Sequence, residues 1–156
     1  MGKVYGWFAA LALVIAGGTS YMVMTGSAVA QDDDGRTAII LTAAERNMVL
    51  GEMREFLVSV KLITQGVVNK DMKAIQAAGR RMGMAAASGV PSSLADKLPD
   101  SFKKLAGATH KGFDAMATEA EDIGDEKAIL VKLGNLLNNC TTCHSSYRFE
   151  VEAGGK

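Results

Sequence analysis

The sequence predicts an all-α fold, an antiparallel up-down-up-down four-helix bundle preceded by an apolar N-terminal helix. Three observations carry this. Ala, Leu, Met, Lys and Glu, all good helix formers, dominate the chain. Pro91 and Pro99 are its only prolines, so strong helix breakers cluster in one place. No run of alternating β-branched residues bounded by turn signals reads as a strand.

Residues 4–31 carry no charge, and Lys3 stands before them. Trp7 to Ile15 form a compact apolar run. Ala28-Val29-Ala30 offers the small-x-small pattern of a cleavage site, followed by Gln31 and three aspartates. Residues 1–30 are therefore expected to be an export signal, either a cleaved signal peptide or a retained membrane anchor, since about 20 apolar residues span a bilayer. The basic side stays inside and the Asp-rich flank goes out. A periplasmic domain follows, free or tethered to the cytoplasmic membrane by residues 4–30.

Residues 31–41 read as a polar lead-in. Thr42-Ala43-Ala44-Glu45 is a capping-box pattern. The helix it opens carries Val49, Met53, Phe56, Val60, Ile63 and Val67 on one stripe as far as about Gly66. Met48, Glu52, Glu55 and Ser59 fall on the side expected to face solvent. Asn69 or Asp71 caps a second helix with Met72, Ile75, Ala78, Met82 and Ala85 inward, ended by Gly89. Residues 88–93 form a loop. A third helix starts around Pro99 and buries Phe102, Leu105, Ala106, Thr109, Phe113, Met116, Ala120 and Ile123. Gly124 stops it and Asp125 caps the fourth, which shows Ile129, Leu133, Leu136, Leu137 and Cys140 inward and runs to about Tyr147. The predicted domain covers 42–150, with a polar tail at 151–156.

The charge is balanced, at 17 basic and 17 acidic side chains. With no basic field or arginine stripe, nucleic acid is excluded as a partner. The chain's two cysteines both lie in Cys140-Thr141-Thr142-Cys143-His144, so they cannot frame the fold with disulfides. CxxCH is the attachment signature of c-type haem. On a helix, positions 140, 143 and 144 project to one side. Two thioether bonds to the porphyrin can then form while the imidazole of His144 points at the iron. A zinc half-site lacks the second Cys/His pair needed to close its shell, and a dithiol redox motif lacks its βαβ setting.

A ligand on the iron's other side must come from the apolar face of another helix. Met53 lies on the first helix's stripe; thioether ligation opposite histidine raises the potential and suits electron transfer. The competing role for Met53 is packing, the common use of methionine in cores. Met72, Met82, Met84 and Met116 read as packing residues. His110, the one other histidine, falls beside the third helix's stripe and is expected to face water. Arg148, four residues after His144, suits a haem propionate, and Arg46 is a weaker candidate for the same role. For both, the alternative is a solvated surface arginine.

The run from Cys140 to Arg148, CTTCHSSYR, placed after four amphipathic helices, resembles the cytochrome c-prime superfamily, whose members commonly read CxxCHxxYR or CxxCHxxFR there. The likeness covers about residues 41–150. It implies the up-down-up-down bundle and one of two subgroups. In one, a bulky first-helix residue guards a five-coordinate iron that binds NO or CO; in the other, a first-helix Met ligates, and Met53 is similar to that second pattern. Members often carry Arg four residues before the distal position, where this chain has Val49.

The expected function is that of a monohaem c-type cytochrome carrying single electrons in the periplasm. Its cofactor is one covalent haem c held by Cys140, Cys143 and His144, with Met53 as the distal ligand. The alternative is a gas-binding protein with an open iron. No enzyme constellation accompanies the motif. Redox proteins are the expected partners; a membrane redox complex and a homodimer are further options.

Overall fold

The computed structural model describes residues 29–31 and 34–153. The N-terminal helix expected before residue 29 lies outside the described residues, as does the end of the tail. Among the described residues no helix is long and apolar enough to cross a membrane.

Helix α1 (Ala43–Asn69) begins at the expected capping box: Glu45 N–H donates to Thr42 Oγ1 at 3.2 Å, and Thr42 N–H donates to Glu45 Oε2 at 2.9 Å. Asp71 caps α2 (Met72–Arg81) by accepting from Ala74 N at 2.9 Å. This second helix stops eight residues short of the expected Gly89, and the cause is local. Gly83 sits where a Cβ would run into the Asp114 carboxylate, and Asp114 Oδ2 instead accepts from Met84 N at 2.8 Å. The chain restarts there as the short α3 (Met84–Ala87), followed by α4 (Ser92–Ala95) just after Pro91. Pro99 precedes α5 (Asp100–Asp122). Asp125 caps α6 (Glu126–Ser146), accepting from Lys127 N at 2.8 Å and Ala128 N at 3.2 Å.

Among the described residues the chain is mostly helical, and where the sequence predicts no strand three are present. Strand β1 (Val29–Gln31) pairs antiparallel with β2 (Thr37–Leu41), which pairs in parallel with β3 (Tyr147–Val151). The polar lead-in at 31–41 therefore contains a buried strand, with Ala38, Ile39 and Leu41 fully buried. Five residues at each end of the domain are too short to carry a periodic signal alone. Each becomes a strand because the other supplies its hydrogen-bonding edge. The polar tail likewise begins inside β3, at Val151.

Helix α1 packs on α2, α2 on α5, α5 on α6, and α6 back on α1. One apolar core, with Ile63, Ile75, Phe113, Met116, Ile129 and Leu136 fully or almost fully buried, fills the space between these helices. A second, smaller core joins the sheet to the helices through Ile39, Leu41, Val49, Leu94 and Phe102. Several expected orientations are corrected, and Ala85, expected to face inward, is exposed. Ser59 is fully buried rather than solvent-facing, while Ile123 is 75 % and Leu137 41 % exposed. Helix α1 thus turns a wider face inward than its apolar stripe indicates, and Ile123 lies past the last residue of α5.

Candidate haem site

The CxxCH motif occupies the last two turns of α6, where the helix leaves the first core and meets the second. Cys140 packs against the first core and Cys143 against the second. Both thiols are half-buried, and burial pushes both above the usual cysteine range, so they are held protonated at neutral pH. His144 is exposed at the rim.

Beside these three residues opens a cavity of about 410 Å³, within the size range of cofactor sites. Cys140, Cys143 and His144 line it, and α1 contributes Met53 and Phe56. Leu94 and Leu98 from the α4 region and Phe102 and Ala106 of α5 supply further apolar wall. The lining is overwhelmingly apolar, which suits a flat hydrophobic macrocycle with its two attachment thiols and an imidazole at one side. The residues present fit a c-type haem.

A smaller cavity of about 180 Å³ adjoins it. Cys143, His144 and Met53 border both cavities. Met48 is half exposed and borders only the larger one. Arg36, Arg46 and Arg148 all line the smaller cavity. Arg148 is placed there by β3, not by a continuation of the helix, because Tyr147 is extended and ends α6. Its guanidinium is mostly buried and ion-paired with Glu150, with Asp34 3.9 Å away. Tyr147 is held beside it by an edge contact to Phe102 at 5.5 Å and a hydrogen bond to Ser101 Oγ at 2.5 Å.

Cys140, Cys143, His144 and Met53 are thus brought to one cavity, and Arg148 to its neighbour. The expectation for His110 is overturned. It is 3 % exposed and lines the larger cavity, with its ring edge-on to Phe56 at 5.1 Å. Its Nδ1 lies 2.8 Å from the Met82 carbonyl oxygen and its Nε2 3.5 Å from Glu52 Oε1. Glu52, expected to face solvent, lines the cavity too. The signal available in the sequence was position. His110 follows Thr109 and precedes Phe113 by three, so a slightly wider buried face on α5 includes it.

Among curated proteins and among solved structures, no match to the chain is found. Residues 96–148, about a third of the chain, match the model of the family described as Cytochrome C'. The matched stretch runs through α5 and α6 and contains Cys140, Cys143, His144 and Arg148, and what it implies is a haem-binding c-type cytochrome whose cofactor is covalently bound haem c with its iron.

Proposed function

We propose that this protein is a monohaem electron carrier working outside the cytoplasm, with thioether bonds at Cys140 and Cys143, His144 as proximal ligand and Met53 opposite it. The carrying observation is that Met53 and His144, from α1 and α6, border the same two cavities. The haem supplies the one-electron couple. The chain's own residues do the rest. The apolar walls exclude water, Cys140 and Cys143 would fix the orientation of the bound group, and the Met53 sulfur as a ligand would favour its reduced state. The ring of helix contacts from α1 through α2, α5 and α6 supports the antiparallel up-down-up-down bundle. Arg148, with Arg36 and Arg46, would offer guanidinium groups to the propionates. Export to the periplasm follows from the N-terminal segment and from haem c chemistry. Redox proteins are its partners, and it has no enzyme activity of its own.

The test is the far-red charge-transfer band that marks sulfur bound to ferric haem. The reading expects this band in the native protein and its loss in Met53→Ala, with Met48→Ala unchanged. Persistence of the band in Met53→Ala would remove Met53 as the ligand.

A further inference from the structure

We propose that His110 is a second ligand for the haem iron built into this chain, lining the same cavity as Met53 and taken up when the Met53 sulfur is absent. The proposal rests on the haem reading above but not on Met53 being the resting ligand.

Three observations carry it. The first is placement: His110 lines the same cavity as Cys140, Cys143, His144 and Met53, and it is 3 % exposed. The second is the tautomer. A carbonyl oxygen only accepts, so the 2.8 Å contact to Met82 requires Nδ1 to carry the hydrogen. In the neutral ring Nε2 then carries the lone pair. A ring N–H donated to a backbone carbonyl is the usual support of a metal-bound histidine. The third is what Nε2 has around it. Among the described residues its polar neighbour is Glu52 Oε1 at 3.5 Å, longer than the usual N–H···O hydrogen bond, so Nε2 is not committed to a close partner. A histidine needed only to satisfy the Met82 carbonyl uses Nδ1 alone.

Phe56 fixes the ring from one side by its edge contact, so the imidazole is pre-oriented rather than swinging. Met53 and His110 come from different helices, α1 and α5, and loss of one leaves the other's support intact. The chain contains two histidines, and the other is His144 of the attachment motif. A second nitrogen ligand therefore has His110 as its imidazole source. Lys103 also lines the cavity and is the competing nitrogen.

The experiment uses the haem-loaded full chain as wild type, Met53→Ala, His110→Gln and the double variant, read by ferric electron paramagnetic resonance and by CO titration of the reduced form. Met53→Ala is expected to stay low-spin with a two-nitrogen signature. The double variant should turn high-spin and bind CO roughly tenfold or more tightly than Met53→Ala, because the internal competitor is gone. His110→Gln alone keeps a donor for the Met82 carbonyl and should retain the wild-type sulfur band, which certifies the fold. A high-spin Met53→Ala that binds CO like the double variant overturns the proposal. So does a double variant that stays low-spin, which would assign the nitrogen to Lys103. A wild type that lacks the sulfur band sinks the Met53 reading alone. In that case the loss of a two-nitrogen signature in His110→Gln would still uphold His110.

Discussion

His110 Nδ1 donates to the carbonyl oxygen of Met82 across 2.8 Å, tying the middle of α5 to the residue just past the end of α2. The bond is buried, and it satisfies a carbonyl that α2 leaves without a helical partner when it stops at Arg81. It also explains why α2 can end there without loss. The next residue, Gly83, gives its space to Asp114 from the same α5.

Replacing His110 by Ala should therefore lower stability by about 1–3 kcal/mol, the usual cost of leaving a buried polar group unpaired. His110→Gln, which can still donate, should lose less than half as much. Urea unfolding of the three proteins measures this. Equal stability of His110→Ala and wild type would contradict the bond's structural role.

Gly79 marks the closest approach of α2 to α5. A Cβ there would lie 2.7 Å from the Phe113 carbonyl oxygen and 2.9 Å from Ala117 Cβ. Alanine improves helix propensity by about 1 kcal/mol, but the atoms it meets are backbone and a short side chain, which cannot swing aside. Separating the helices should outweigh the gain, for a net loss of about 1–2 kcal/mol. A Gly79→Ala variant that melts higher than wild type would show that the two helices part easily.

How much of this was legible in the sequence varies with the range of the interactions. The capping box at Thr42, the Asp71 and Asp125 caps and the stop before Gly124 are local hydrogen-bond signals, and the structure forms each of them. The CxxCH motif was legible as a pattern because it lies within five consecutive residues, and the structure brings Cys140, Cys143 and His144 to one cavity. Long-range pairing was not. Tyr147–Val151 becomes a strand by meeting Thr37–Leu41, more than a hundred residues away, and Thr37–Leu41 pairs with Val29–Gln31 on its other edge. The early end of α2 depends on Asp114 and His110, which belong to a different helix. His110 itself was misplaced because a lone histidine beside a charged residue reads as surface until its carbonyl partner is known.

Glu45 gives the fold a defined acid sensitivity. The Lys97 ammonium at 2.8 Å and the Thr42 backbone N–H hold its carboxyl down from 4.5 to about 2. A carboxylate whose value is lowered by folding contributes stability that is fully present above about 4.5 and is lost as pH falls toward about 2. Denaturant midpoints measured across that window should fall more steeply for wild type than for Glu45→Gln. Parallel curves would show that the Lys97 contact is not kept in solution.

Attachment can be separated from ligation. With Cys140 and Cys143 both changed to Ala, acidified organic solvent should strip the pigment, whereas wild type retains it and either single variant keeps one thioether. Retention by the double variant would place the covalent bond elsewhere.

The most direct test of the account is the absorption spectrum of the reduced wild-type protein before and after adding CO. An iron held between His144 and a second side chain from the cavity predicts sharp low-spin bands that CO leaves unmoved. A broad high-spin spectrum that shifts on CO addition would contradict it and establish an open iron in place of an electron carrier's closed one.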